Sequence, residues 1–133
     1  MNAFVSIILV ATVGLAVGAA VERVRLHKFW RRTCMGFAWR RRFPNVSKKK
    51  IRDFLRLVVD AFAFSRSRAL KFSPDDRLIE IYEAIYPVPR LTGDAMELEG
   101  LIESIETQFG VDLRPHWRKD ITHGELFAAA TNA

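Results

Sequence analysis

The chain has 133 residues, 50% of them apolar and 27% charged, with a formal net charge of +6. That is room for one small domain and an appendage. It is too hydrophobic for a disordered chain, and its single cysteine excludes a disulfide framework or a cysteine-built zinc site. The charge is segregated. Residues 1–21 carry no charged side chain, residues 22–52 hold twelve Lys/Arg against Glu22 alone, and residues 53–133 hold nine Lys/Arg against fourteen acids.

Residues 3–21 read AFVSIILVATVGLAVGAAV, with nothing more polar than Ser6 and Thr12. As a helix the run is about 28 Å long, close to the hydrocarbon thickness of a bilayer. It is therefore expected to be a transmembrane helix occupying residues 1–21. Gly14 and Gly18 form a G-x-x-x-G face of the kind that packs one membrane helix on another, so a homo-oligomer is possible through them. A secretory leader would carry Lys or Arg ahead of its apolar core. Here the cations all follow Val21. The positive-inside rule then gives a single-pass inner (plasma) membrane protein with its C-terminal domain in the cytoplasm.

Residues 22–46 form a basic, aromatic juxtamembrane segment. Arg23, Arg25, Lys28, Arg31, Arg32, Arg40, Arg41 and Arg42 alternate with Trp30 and Trp39, among other rings. Leu26, Phe29, Trp30, Thr33 and Phe37 keep helical spacing. Such a helix suits the membrane–water boundary, rings at headgroup level and cations toward anionic lipid. Membrane lipid is thus an expected partner. Nucleic acid is not, because no groove-reading motif or zinc spacing accompanies the charges. Cys34, on the cytosolic side, is a possible acylation point.

From residue 47 the pattern is helical throughout. Ile51, Phe54, Leu55, Val58 and Phe62 give the apolar stripe of a helix of about seventeen residues. Lys48, Lys49 and Lys50 at its start oppose the helix dipole. This suggests an earlier start or lysines held by lipid headgroups. Ser73-Pro74-Asp75-Asp76 reads as a helix start, with serine capping and proline at the first helical position. The stripe Leu78, Ile81, Tyr82, Ile85 follows. Asp94 and Glu97 have capping spacing ahead of Leu98, Leu101, Ile102, Ile105 and Phe109, and Gly110 suits the residue after the helix. Glu97, Glu99, Glu103 and Glu106 make that helix acidic. Thr122-His123-Gly124-Glu125 is a second capping sequence, with Ile121 and Leu126 placed as a hydrophobic staple.

Three local strings in order point to a family. Gly93-Asp94-Ala95-Met96, Gln108-Phe109-Gly110-Val111-Asp112-Leu113 and Asp120-Ile121-Thr122-His123-Gly124-Glu125-Leu126 resemble the prosthetic-group motif, the helix II exit and the last-helix opening of acyl carrier proteins. The resemblance covers residues 47–133 and implies an all-α protein ending in a four-helix bundle. The segment before Ala95 is longer than in ordinary carriers and holds an extra helix. Ala95 stands where the family's attachment serine would be, between Asp94 and Met96. A methyl group cannot form the phosphodiester that holds phosphopantetheine. The resemblance thus implies a carrier fold with a degenerate prosthetic-group position at Asp94, Ala95 and Met96, and no cofactor.

Catalytic and metal patterns are absent from the sequence. His27, His116 and His123 make no ligand spacing, and no nucleophile elbow, P-loop or dinucleotide fingerprint occurs. No enzyme is expected. The first functional expectation is a membrane-anchored docking module that presents Glu97, Glu99, Glu103 and Glu106 to the basic surface of a partner protein. The second is a small structural subunit or lipid-interacting component of an inner-membrane assembly.

Overall fold

The computed structural model describes residues 2–86 and 96–133, and for residues 18, 19 and 21–23 the backbone alone. Within them the chain is helical, apart from one isolated bridge between Arg77 and Thr122. Six α-helices are described: α1 Ala3–Trp30, α2 Gly36–Arg42, α3 Lys48–Ala61, α4 Leu78–Ile85, α5 Met96–Phe109 and α6 His123–Thr131. Two 3-10 helices, Arg66–Lys71 and Arg114–His116, fill connections.

Helix α1 is a single rod with two characters. Along its first part Phe4, Ile7, Ile8, Leu9, Val10, Val13, Leu15 and Val17 are exposed, so the apolar surface has no sidedness. Among the described residues no helix is long and apolar enough to cross a membrane. The apolar run with described side chains stops at Val17, and Arg25 and Lys28 follow in the same helix. The last turns of α1 enter the bundle, where Leu26 and Phe29 are buried. They run antiparallel to α4. Arg25 donates to the Glu83 carbonyl at 3.4 Å, and Lys28 lies 3.6 Å from the Glu80 carboxylate.

The expected helical register through Thr33 and Phe37 breaks at Trp30. The break is fastened from outside. Met35 N–H donates to the Leu70 carbonyl at 2.7 Å, Lys71 Nζ donates to the Arg32 carbonyl, and Arg32 reaches the Lys71 carbonyl. These contacts to the 3-10 helix Arg66–Lys71 fold α2 back, and Phe37 is left exposed rather than aligned with Phe29.

One core joins all of this. Leu26, Phe29, Trp39 and Phe43 share it with Phe54, Leu55, Phe72, Leu101, Ile105, Leu126 and Phe127. Residues 22–46 therefore do not form a separate packing unit beside residues 47–133. Trp39 is fully buried, its indole N–H donating to the Phe72 carbonyl at 2.8 Å. Phe127 meets it edge-on at 5.6 Å. Trp30 is half-buried, edge-on to Phe64 at 5.1 Å and Phe72 at 5.5 Å, with the Arg68 guanidinium 4.3 Å from its ring centre. Trp39 thus corrects the headgroup expectation: its ring and its N–H are both used inside the protein.

Helix α3 starts at Lys48, not earlier. Ser47 caps it by accepting from Lys50 N–H at 3.2 Å, and Lys49 pairs with Asp53 at 2.6 Å. Its stripe Ile51, Phe54, Leu55, Val58 and Val59 is buried. Helix α4 begins at Leu78, after Ser73-Pro74-Asp75-Asp76 rather than on it. That tetrapeptide is a turn, with Asp76 N–H donating to the Ser73 carbonyl at 3.1 Å and Asp76 Oδ2 accepting from Ser73 N–H at 2.7 Å. Helix α5 ends as expected at Gly110 (φ +67°), where Gly110 and Val111 N–H both donate to the Glu106 carbonyl. Helix α6 has the full reciprocal cap between Thr122 and Glu125, with Ile121 and Leu126 buried as the staple.

Candidate functional site

Two constellations carry polar chemistry. The first is the acidic face of α5. Its four glutamates do not stand alike. Glu97 is half-buried and accepts from the Tyr86 hydroxyl. Glu106 is half-buried and accepts from Leu113 N–H at 2.8 Å, which ties the end of α5 to the following loop. Glu99 and Glu103 are exposed, and among the described residues neither has an ion pair. One helical turn separates them. Leu98, Ile102 and Trp117 come up beside them and form an apolar groove of about 440 Å³ rimmed by Glu99, Glu103, Glu106 and Arg114. Arg114 is engaged chiefly by Asp112, with Glu106 also in its field. It forks onto Asp112 at 2.9 Å and holds that carboxyl down to about 2. Trp117 lies beside α5 in this groove with 40% of its surface exposed. Its place in the groove was not legible, because it comes from an irregular loop without periodicity.

Asp94 and Ala95 lie outside the described residues, so the degenerate prosthetic-group position is seen only at Met96, the exposed first residue of α5.

The second constellation is a buried clasp between α1, the Ser73–Asp76 turn and α6. Arg32 grips Asp76 through two hydrogen bonds of 2.5 and 2.9 Å. The pair raises the arginine pKa, with burial opposing. His123 is fully buried, stacked on Phe72 at 5.6 Å and 15°. Its Nδ1 lies 2.8 Å from the Asp76 carbonyl. A carbonyl only accepts, so Nδ1 carries the proton and Nε2 is a bare, buried acceptor with no hydrogen-bond partner among the described residues. Burial pushes the imidazole below its usual 6.5, outweighing the Asp76 carbonyl and carboxylate. His123 N–H and Gly124 N–H donate to the Asp76 and Pro74 carbonyls at 2.9 and 2.8 Å. The clasp is closed around its own partners and has the character of a fold lock. The sequence placed His123 at a helix start, which it is, but the long-range pairing of Arg32 with Asp76 had no local signal.

The expected membrane-interface residues divide. Arg31, Arg40 and Arg41 are exposed and have no ion pair among the described residues. Arg25, Lys28, Arg32 and Arg42 are engaged by Glu83, Glu80, Asp76 and Asp75. Of Arg23 only the helical backbone is described. A Cβ placed on Gly14 meets nothing, so that face is open, while Gly18 is described by backbone alone. Among the described residues no cluster of His, Cys, Asp and Glu could hold a metal ion. Compared with known proteins, the chain matches no family model, no curated protein and no solved structure.

Proposed function

We propose that the protein is a membrane-anchored, non-catalytic docking module, similar to acyl carrier proteins but without a phosphopantetheine arm. In this reading it presents helix α5 to a basic partner surface. The observation that carries the reading is the pairing of two unneutralised carboxylates, Glu99 and Glu103, with the apolar groove of Leu98, Ile102 and Trp117. Charge complementarity of this kind sets encounter rate and partner choice. The groove adds an apolar anchor point of the sort that concentrates binding energy. Glu97 and Glu106 in addition hold α5 in place, through the Tyr86 hydroxyl and Leu113 N–H, so in this reading Glu99 and Glu103 carry most of the direct contact.

Anchoring is supported by the uncharged run of residues 3–21 and by the all-round apolar exposure of α1 up to Val17. An apolar helix with no polar face is stable when covered by lipid or protein. The cations that begin at Arg23 favour a cytoplasmic side for the bundle in this reading. Tethering confines partner search to the membrane plane and raises effective concentration.

The test is affinity purification of the full chain from detergent-solubilised membranes at low and high salt. Wild type is expected to retain a partner at low salt and lose it at high salt. The charge-reversed E99K/E103K variant is expected to lose it at both. An unchanged set of co-purifying proteins for the variant contradicts the docking role and leaves the structural-subunit reading.

A further inference from the structure

We propose that the pocket between α2 and α3 binds a phosphate monoester that carries a small apolar group. The pocket measures about 250 Å³. Arg40 from α2 and Lys48 and Arg52 from α3 line it, together with Phe37, Ile51 and Leu70. It shares no residue with the α5 groove.

Three features point to an anion. Arg40, Lys48 and Arg52 are exposed, and none has an acidic partner among the described residues. The nearby carboxylates are already taken, Asp53 by Lys49, Asp75 by Arg42 and Asp76 by Arg32. The first turn of α3 holds no acid, so Lys48 sits at the positive end of a 14-residue helix. That arrangement costs stability, and among the described residues no carboxylate offsets it at Lys48. An anion in the pocket meets all three cations and the helix end together.

The pocket also selects the anion. A carboxylate brings a single negative charge, whereas a phosphate monoester brings about −1.5 to −2 at neutral pH. Three converging cations, two of them arginines with planar forks, match the larger charge and its oxygens. The apolar part of the ligand is met by Phe37, a residue 78% exposed that lines the pocket, and by the side chains of Ile51 and Leu70. Two sources share this chemistry: a soluble phosphate monoester and the headgroup of phosphatidic acid.

The chain's single cysteine is the reporter. Cys34 is exposed and lines the same pocket, so an occupant slows its reaction with a neutral thiol reagent. The experiment measures the rate of Cys34 alkylation by N-ethylmaleimide in the full chain, held in phosphatidylcholine nanodiscs. Phenyl phosphate is expected to slow the rate about tenfold in a saturable manner, while phenol at the same concentration does not. The double variant R40Q/R52Q, altered only at exposed positions and compared with its own unliganded rate, is expected to need at least tenfold more phenyl phosphate for half-maximal slowing. Slowing by nanodiscs that contain phosphatidic acid, without phenyl phosphate, and its loss in R40Q/R52Q, supports the phosphate site with lipid as the source. Absence of protection in both arms, or protection that survives R40Q/R52Q, overturns the proposal.

Discussion

Trp39 and His123 each bury a ring together with a polar nitrogen, and the two nitrogens are treated differently. The Trp39 N–H is satisfied by the Phe72 carbonyl, whereas His123 Nε2 has no hydrogen-bond partner among the described residues. Replacing Trp39 by alanine removes a core ring and strands a carbonyl, and is expected to cost about 3–5 kcal/mol. Arg41→Gln, at an exposed position, is expected to change stability by no more than about 0.5 kcal/mol. Chemical denaturation of both variants separates a core tryptophan from one that only anchors at a headgroup layer. His123 makes stability depend on pH. Its native pKa lies below the unfolded value near 6.5, so between the two the unfolded chain binds a proton that the native chain does not. Stability is therefore full above about pH 7 and falls as pH drops through the unfolded value, by up to about 1.4 kcal/mol per pH unit. His123→Gln is expected to flatten the profile between about pH 7 and pH 5, whatever its effect on overall stability. The carboxylates held low, Asp112 by Arg114 and Glu125 by the Thr122 N–H and Arg118, lose their contribution only at lower pH.

At the scale of the helix, local signals set the ends and long-range contacts set the exceptions. The Ser47 cap of α3 was hidden by the lysines that follow it, whereas the cap of α6 was written in Thr122 and Glu125, because a side-chain oxygen within three residues of its N–H needs no tertiary help. Gly110 ended α5 for the same reason. Ser73 and Pro74 misled because Asp76, in the same tetrapeptide, is claimed by Arg32 from 44 positions away. The break after Trp30 misled because its hydrogen bonds go to Leu70 and Lys71. Gly124 shows how tightly α6 is seated. A Cβ there would stand 2.9 Å from the Pro74 carbonyl oxygen and from the Arg42 guanidinium. The arginine can swing away but the backbone oxygen cannot. Gly124→Ala is therefore expected to cost about 1–3 kcal/mol, more than the roughly 1 kcal/mol expected for Thr122→Ala. Thermal unfolding of the two variants gives the order, and a milder effect for Gly124→Ala would show that the Ser73–Asp76 turn yields.

For the whole molecule, the charge segregation along the sequence becomes a spatial one, but not at the expected border. Cations read as a lipid collar are partly paired within the protein, Lys28 with Glu80 and Arg42 with Asp75 at the surface, and Arg32 with the buried Asp76. Of the cations without an ion pair among the described residues, Arg40, Lys48 and Arg52 line the pocket between α2 and α3, whereas Arg31 and Arg41 do not. The acids of α5 divide likewise, leaving Glu99 and Glu103 free beside the groove. Periodicity in the sequence placed α3, α4, α5 and α6 and their buried stripes. It could not show which charges would find partners, since that depends on contacts between helices far apart in the chain.

The central claim, that the α5 groove is where a partner docks, is tested most directly by photocrosslinking in intact cells. A photoreactive residue in place of Ile102, in the groove, is compared with one in place of Arg56, exposed on α3. The account predicts a discrete protein adduct from position 102 that disappears with E99K/E103K, and none from position 56. Adducts of equal yield from both positions, or none from position 102, would contradict it.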